Sequence, residues 1–297
     1  MNRSLRKWMK ENHVRIVKGD GLFFAVLPGM WSEALEGILP RIDSLLESSF
    51  VLKDSRTTTA GLLALDPGGN PVFLKRTNNK GLRFTLRYLF RPARCFRAVV
   101  AATRLREIGI DTPEVLAAGE RRSCFGILQA GYLVTSSRAD IRNASKILVE
   151  TVDVETAGIS FLEAAGRLAA RMHAGRMIHG DLKMQNFFYC GNWTPDVQYG
   201  LWDLDGARIF SGSPPLPFVL DELARIVSSV QILSSQNPYM PEGFPDPFRL
   251  GKILMDAYAS EKPDLPLPAA DALAERSEFR RKKTLLSEQR KSRRNTV

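Results

Sequence analysis

Apolar residues change their spacing close to residue 51 and again close to residue 137. Between residues 51 and 137 they form short runs rich in Val, Leu and Phe, separated by turn residues, which is typical of β-strands. After residue 137 they recur every third or fourth position over long stretches such as "VETAGISFLEAAGRLAARMHAGR", which is typical of amphipathic helices. A strand-rich part followed by a helix-rich part predicts an α+β protein.

Four parts follow from this pattern and from the distribution of charge. They are a basic, partly helical N-terminal extension (1–50), a small antiparallel sheet with one helix (51–137), a helical region (138–275) and a basic C-terminal tail (276–297). In the extension, "WSEALEGILPRIDSLLESSF" predicts a helix that is capped by Ser32 and ends or restarts at Pro40. The segment "DPGGN" predicts a hairpin turn between two strands.

Positive charge is concentrated in two segments of the chain, whose formal net charge is +10. Residues 71–106 hold ten Lys or Arg and no Asp or Glu, and residues 276–297 hold nine basic and two acidic residues. Such patches attract phosphorylated glycans, anionic lipid or nucleic acid, although charge runs are also common on solvated surfaces. No aromatic stacking platform or RNA-binding motif accompanies them, so nucleic acid is the least favoured partner. Five arginines of the first segment recur at roughly helical spacing: Arg83, Arg87, Arg91, Arg94 and Arg97.

Composition also narrows the class of protein. No apolar run approaches the roughly 20 residues that a membrane-spanning helix needs, and the N-terminus lacks the apolar core of a secretory signal. The cysteines Cys95, Cys124 and Cys190 form no C-x-x-C pair, which argues against a disulfide framework or a zinc site. We therefore expect a cytoplasmic protein.

The segment "MIHGDLKMQNFFY", residues 177–189, places polar groups inside an otherwise apolar stretch. His179, Asp181 and Asn186 match the H-x-D-x-x-x-x-N pattern of phosphoryl transfer. In that chemistry a carboxylate accepts a hydrogen bond from the attacking hydroxyl, and an amide oxygen binds Mg²⁺. We predict Asp181 as the catalytic carboxylate, Asn186 as a metal ligand and Lys183 as the cation that offsets phosphoryl charge. His179 is expected to brace the loop.

Three further segments would complete a site for ATP and Mg²⁺. Asp203 follows the apolar strand "YGLW" and is the second predicted metal ligand. Asp205–Gly206 offers a second Asp-Gly register, although a turn is the favoured interpretation of that pair. Lys75 ends the strand "PVFLK" and would pair with the α- and β-phosphates. The turn after "VLKD" lacks a G-x-G-x-x-G pattern, but it offers N–H groups and hydroxyls to phosphates. Its residues are Ser55, Arg56 and Thr57.

With these motifs in this order, the chain resembles the protein-kinase-like superfamily. More narrowly it resembles the lipopolysaccharide core kinases, which phosphorylate heptose or Kdo sugars. The resemblance spans roughly residues 51–235 and is carried by "VFLKR", "LREIGIDTPEVLAAGE", "IHGDLKMQNFF", "LWDLDGARIF" and "DELARIVSSV". It implies a bilobal fold, with a small antiparallel-sheet N-lobe and a helical C-lobe that carries the catalytic loop. It also implies the roles given above for Asp181, Asn186, Asp203 and Lys75.

One departure from the kinase pattern concerns the nucleotide lysine. Kinases pair this lysine with a glutamate on the following helix. Here no acidic residue lies between Lys75 and Glu107, and Glu107 comes at the end of the predicted helix. The usual ion pair is therefore replaced or missing.

A second departure concerns the acceptor. Gly180 stands where H-R-D kinases have an arginine, only eighteen positions separate Asp203 from Asp221, and there is no A-P-E motif. This short segment leaves little room to dock a peptide and favours a sugar acceptor. Asp221 and Arg225, one helical turn apart, are expected to brace the catalytic loop.

The leading hypothesis is an ATP- and Mg²⁺-dependent kinase, a phosphotransferase that acts on a sugar hydroxyl of the lipopolysaccharide core. Its partners would be the core or another anionic glycan and, through the basic patches, the anionic inner face of the inner membrane. An atypical Ser/Thr protein kinase stays open, because Lys183 favours it and the short segment opposes it. A catalytically silent kinase fold used as a binding module also stays open. The missing glutamate favours that reading, and the retained Asp181, Asn186 and Asp203 oppose it.

Overall fold

A computed structural model describes residues 9–11, 13–19, 21–64, 71–79, 81–89 and 91–295. The chain forms two compact units, residues 1–103 with 113–139 and residues 104–112 with 140–297. An antiparallel sheet dominates the first unit and helices dominate the second, so the α+β prediction is confirmed. Among the described residues, no helix is long and apolar enough to cross a membrane.

The first unit is built on a seven-stranded antiparallel sheet in the order β1-β2-β6-β7-β5-β4-β3. The strands are β1 Arg15–Gly19, β2 Leu22–Val26, β3 Phe50–Ser55, β4 Thr58–Ala64, β5 Pro71–Asn78, β6 Val115–Arg122 and β7 Leu128–Ser136. The helices are α1 Glu33–Ile38, α2 Ile42–Ser48, α3 Leu82–Tyr88 and α4 Cys95–Glu107. The predicted strands between residues 51 and 137 and the predicted helix α4 are confirmed, but the prediction of one helix in this range is wrong, because α3 is a second one. β4 and β5 pair as the two arms of a hairpin, while its predicted turn "DPGGN" lies outside the described residues.

The chain before residue 51 belongs to this sheet and is not a separate lead-in. β2 pairs with β6 over its whole length, and β1 pairs with β2. Neither strand was predicted from the sequence. Each has only five residues and β1 is largely exposed, so neither shows a clear alternation of apolar and polar residues. The predicted helix is confirmed, with Ser32 accepting a hydrogen bond from Leu35 N at 3.1 Å. It restarts at Pro40, within a 3₁₀ turn between α1 and α2.

A charged cluster fastens α2 to the sheet. Asp43, in the first turn of α2, accepts hydrogen bonds from Arg76 on β5 at 2.8 Å, Arg121 on β6 at 2.7 Å and the Tyr132 hydroxyl on β7 at 2.9 Å. Burial alone would raise the pKa of Asp43, but these hydrogen bonds and the two positive charges lower it below its ordinary value. Burial raises the pKa of Tyr132 to about 12, so its hydroxyl stays protonated and donates. One carboxylate therefore ties the helix to three strands.

The second unit contains five helices and two small sheets among the described residues, apart from the end of α4. The helices are α5 Ser145–Glu150, α6 Val154–Ala174, α7 Leu216–Ser234, α8 Pro247–Glu261 and α9 Ala270–Asn295. The strands are β8 Ile141–Asn143, β9 Met177–Ile178, β10 Phe187–Cys190, β11 Tyr199–Leu201 and β12 Arg208–Ile209. β10 lies between β11 and β8, and β12 pairs with β9. The segments predicted as helices and as a loop between strands are confirmed.

The central helix α6 is buried along most of its length, with Phe161 and Leu162 fully enclosed. Burying each side chain of that size stabilises the fold by about 1.5–3 kcal/mol. Gly166 lets α8 approach closely, since a Cβ at this position would lie 2.5 Å from Leu254 O. Asp153 begins the helix by accepting a hydrogen bond from Thr156 N. The packing around α6 supports the loop that follows this helix, in the segment 177–189.

Candidate active site

In the segment 177–189, buried apolar side chains alternate with more exposed polar ones around Asp181. Leu182 and Met184 are fully buried. Asp181, which precedes Leu182, and Lys183, which lies between the two buried residues, are partly exposed. Lys183 is extended, so successive side chains point to opposite sides. Ser229 on α7 accepts a hydrogen bond from Met184 N at 2.9 Å. The apolar residues thus anchor the loop, and the polar residues are presented on its outer side.

Three side chains hold the Asp181 carboxylate in place. Arg225 donates to Oδ1 at 2.9 Å, and Lys183 Nζ lies 3.0 Å from Oδ2. Asn186 Nδ2 donates to the Asp181 carbonyl at 2.7 Å and to Oδ2 at 3.3 Å. The loop residues predicted from the sequence therefore lie together, and the predicted bracing by Arg225 is confirmed. Charge-assisted bonds of this kind fix the orientation of a carboxylate that remains partly open to solvent.

A buried glutamate on α7 holds the backbone at the start of the loop. Glu222 is 1% exposed, and it accepts hydrogen bonds from His179 N at 3.0 Å and from Gly180 N. His173 Nε2 lies 3.3 Å from the same carboxylate, and His173 Nδ1 lies 2.9 Å from the Tyr258 hydroxyl. Burial, together with the negative charge of Glu222, raises the pKa of Tyr258. Tyr258 and Glu222 thus hold the His173 ring between them, behind the start of the loop.

His179 braces the loop from the other side, as predicted. Its Nε2 lies 2.9 Å from Trp202 O, which only accepts, so Nε2 carries the proton. Its Nδ1 then accepts from Asp181 N at 3.4 Å. This histidine therefore links the loop to the strand that precedes Asp203.

Gly180 is required by the close approach of two backbone segments. Its φ is +83°, in the region that glycine adopts readily, and a Cβ there would lie 2.5 Å from Gly206 O. The turn at Gly206 therefore packs directly on the catalytic loop. A side chain at position 180, including the arginine of H-R-D kinases, would displace that turn.

The two predicted metal ligands lie on segments that touch. Trp202 N donates to Asn186 O at 3.1 Å, and Trp202 Nε1 donates to Gln185 O at 2.9 Å, which brings Asp203 beside Asn186. Asp203 has φ 60° and ψ 51°, a left-handed conformation that costs about 1–3 kcal/mol and is concentrated at functional sites. The Asn186 amide donates through Nδ2, so its Oδ1 is the atom suited to a cation. One amide oxygen and one carboxylate fit Mg²⁺, which prefers oxygen ligands and keeps several waters.

The predicted nucleotide residues lie in the first unit. Lys75 pairs with Ala60 on β4 and Leu133 on β7, in the middle of the sheet. It shares the sheet face of Gly131, against which Ala93 and Cys95 at the start of α4 are packed. Glu107 ends α4 and forms an ion pair with Arg104 at 2.8 Å.

Residues Arg56 and Thr57 form a tight turn between β3 and β4. The Ser55 hydroxyl closes this turn, because it donates to Thr58 O at 3.0 Å and accepts from Thr58 N at 3.2 Å. This use of the hydroxyl favours backbone N–H groups as the atoms that would contact phosphate.

The predicted role of Asp221 is wrong. Its carboxylate is bound by Arg276 Nε at 2.7 Å and Arg280 at 2.6 Å, both on α9, and not by the catalytic loop. Burial alone would raise the pKa of Asp221, but the hydrogen bonds and charges of the two arginines lower it. The basic C-terminal segment is correspondingly part of a helix, and its positive charge is partly neutralised. Glu278 pairs with Arg281 in the same helix at 2.8 Å.

Comparisons with known proteins find one matching family and several similar solved structures. Residues 52–210 match the sequence profile of the lipopolysaccharide kinase (Kdo/WaaP) family. Among solved structures, the chain is similar to WaaP in complex with acyl carrier protein, with a TM-score of 0.53, 18% identity, and coverage of 81% of this chain and 91% of that chain. The Rio2 kinase–ADP/Mg²⁺–phosphoaspartate complex from Chaetomium thermophilum gives a TM-score of 0.48, 12% identity and coverage of 95% and 85%. No curated protein matches the sequence.

Proposed function

Because the chain belongs to the lipopolysaccharide kinase (Kdo/WaaP) family, we propose that it transfers the γ-phosphate of ATP to a sugar hydroxyl of the lipopolysaccharide core. The acceptor sugar would be heptose or Kdo. The observation that carries the proposal is the Asp181 carboxylate, held by Arg225, Lys183 and Asn186 on a loop whose backbone is fixed from below by Glu222. Phosphoryl transfer depends mainly on positioning and on charge, and this arrangement supplies both.

In the proposed mechanism, Asp181 accepts a hydrogen bond from the acceptor hydroxyl and orients its oxygen towards the γ-phosphorus. A bond forms between these two atoms, the bond from phosphorus to the β–γ bridging oxygen breaks, and the hydroxyl proton passes to Asp181. Lys183 Nζ, 3.0 Å from Asp181 Oδ2, would offset charge on the phosphoryl oxygens. Asn186 and Asp203 would hold Mg²⁺, which when bound neutralises phosphate charge and orients the phosphates.

On the nucleotide side, we assign Lys75 to the α- and β-phosphates and the turn of Ser55, Arg56 and Thr57 to the phosphates through its backbone. Support comes from the position of Lys75 at mid-sheet, on the face that carries the start of α4. The absence of an acidic residue from α4 before Glu107 means that this lysine must be oriented without the usual glutamate.

A small acceptor is favoured by the way in which the segment after Asp203 is fixed. β12 pairs with β9, Phe210 N donates to Arg176 O at 2.9 Å, and Arg176 donates to Ser211 O at 2.9 Å. Phe210 also packs on Phe218 of α7, with ring centroids 5.7 Å apart. A segment closed in this way offers no extended platform for a peptide, so the protein-kinase alternative is less favoured. A lipopolysaccharide acceptor would place the reaction at the cytoplasmic side of the inner membrane.

The test is transfer of labelled γ-phosphate to isolated core oligosaccharide and, separately, to cell proteins. Asp181→Asn should lower transfer to the oligosaccharide by about 10²-fold or more, because it removes the proton acceptor. Asp196→Asn, on an exposed loop, is the matched control and should retain activity. Label on protein and not on oligosaccharide would support the protein-kinase alternative. No transfer by the wild-type protein and no thermal stabilisation by millimolar Mg·ATP would support the silent binding module.

A further inference from the structure

Besides Phe50 on β3, which is 72% exposed, three other large apolar side chains in the first unit are unusually exposed. Leu82 and Leu86, one turn apart on α3, are 75% and 65% exposed, and Phe125, in the turn between β6 and β7, is 83% exposed. None of them belongs to the residues assigned to phosphoryl transfer. Single exposed apolar side chains are common, whereas a patch formed by several of them marks contact with a partner or a membrane.

The helix α3 is amphipathic, and one of its faces is buried against the rest of the protein. Phe84 and Tyr88 are buried with ring centroids 4.5 Å apart, while Leu82 and Leu86 lie on the opposite side. Asn79 Nδ2 donates to Thr85 Oγ1 and to Leu128 O, both at 2.9 Å, which fastens the helix to the beginning of β7. The exposed leucines are therefore presented on a fixed helix.

Arg122 joins the turn that carries Phe125 to the end of this helix. Its guanidinium donates to Gly126 O at 2.8 Å, to Tyr88 O at 3.2 Å and to Arg91 O at 2.8 Å. Buried Glu120 fixes this guanidinium through a 2.7 Å bond from Nε. The turn that carries Phe125 and the C-terminal end of α3 are thus joined through one partly buried ion pair.

The segment that contains α3 carries charge of one sign. Residues 71–106 contain no Asp or Glu, and Arg91 and Arg97 are exposed beside α3. Arg94 and Arg97 both donate to the Tyr88 hydroxyl, at 2.8 Å and 3.4 Å, which keeps their cations close to the helix. Exposed apolar side chains on a segment rich in arginine suit the boundary between anionic head groups and acyl chains.

We propose that Leu82, Leu86, Phe125, Arg91 and Arg97 form a docking surface for an anionic lipid bilayer. The leucines and the phenylalanine enter the head-group region, and the arginines contact lipid phosphates. The contact is peripheral and needs no membrane-spanning helix. It uses none of the catalytic or metal-binding residues, so its failure would leave the proposed kinase activity untouched, and the reverse also holds.

The test is co-sedimentation of the full-length protein with phosphatidylcholine vesicles that contain or lack phosphatidylglycerol. We expect binding to the anionic vesicles alone, weakened by added salt. The triple variant Leu82→Ser, Leu86→Ser, Phe125→Ser should bind about tenfold or more weakly, because three apolar side chains no longer leave water. The matched control is Val152→Ser with Tyr239→Ser, which removes side chains of similar exposure in the second unit and should bind normally.

A second measurement does not depend on the triple variant being folded. Phe125→Trp should show a blue-shifted emission when anionic vesicles are added, whereas Val152→Trp should not. Equal binding to both kinds of vesicle, or unshifted emission from bound Phe125→Trp protein, would overturn the proposal. So would displacement of the vesicles by lipid-free core oligosaccharide with no effect of the apolar variants, because the arginines would then serve the glycan. Binding to an acidic protein in preference to anionic vesicles would overturn it as well.

Discussion

Replacing Glu222 by glutamine separates the support of the catalytic loop from its chemistry. In the wild-type protein both carboxylate oxygens accept backbone N–H groups of the loop, and one of them also lies 3.3 Å from His173 Nε2. Glutamine has nearly the same shape but only one accepting oxygen. In either orientation of the amide, its NH₂ group faces one of the two backbone N–H groups of the loop, which cannot accept a hydrogen bond.

The magnitude follows from these contacts. One backbone N–H, buried beside a group that is 1% exposed, loses its partner, which costs about 1–3 kcal/mol, and a charge-assisted bond worth about 1.5–3 kcal/mol becomes a neutral one. Relief of the buried charge offsets part of this loss. We expect the free energy of unfolding to fall by about 2–4 kcal/mol. A shift of the loop by about 1 Å would lower phosphoryl transfer by about 10²-fold.

Urea unfolding and labelled-phosphate transfer measure the two effects on the same protein. Asp221→Asn is the matched control, since the neighbouring carboxylate binds Arg276 and Arg280 on α9 instead of the loop. It should cost about 0.5–1.5 kcal/mol of stability, discounted because these side chains are partly exposed. It should leave transfer within about twofold of wild type. Glu222→Gln with normal stability and normal transfer would refute the reasoning, as would an equal loss of transfer in Asp221→Asn.

Two further substitutions test the local geometry. Gly180→Ala should destabilise the protein by about 2 kcal/mol or more in urea unfolding and should lower transfer. The new Cβ would lie 2.5 Å from Gly206 O, and alanine would have to adopt a positive φ. The control is Gly191→Ala, where φ is also positive but the space is open, and it should cost only about 1 kcal/mol in the same titration. Asp43→Asn should cost about 1–2 kcal/mol at neutral pH. Because the folded-state pKa of Asp43 is lowered, that stabilisation is present above about pH 4 and is lost as pH falls through the folded pKa, so the two proteins should converge in acid. A difference that persists in acid would contradict this account.

The loop and the helical region could be predicted because their signals are local. Asp181 and Asn186 stand five positions apart on one loop, and their contact needs no knowledge of distant segments. The long helix α6 is predicted by apolar residues that recur at helical spacing over its twenty-one positions. β1 and β2 gave no comparable signal, because both are short and β2 joins the sheet through a long-range pairing with β6.

The bracing carboxylate illustrates why tertiary contacts are harder to predict. Asp221 and Glu222 are neighbours on α7, and they point about 100° apart around the helix. Glu222 falls among the buried residues Val219, Leu223 and Ile226, so the apolar pattern could have placed it inward. That Asp221 meets Arg276 depends on how α9 packs on α7, which no local pattern encodes.

The central claim is that Asn186 and Asp203 hold the metal of a phosphoryl-transfer site next to Asp181. Electron paramagnetic resonance of Mn²⁺, added with ATP in place of Mg²⁺, measures this directly. We predict nucleotide-dependent Mn²⁺ binding by the wild-type protein and by Asp196→Ala, and affinity lower by about tenfold or more in Asn186→Ala and Asp203→Ala. Unchanged Mn²⁺ affinity in both ligand variants would contradict the account.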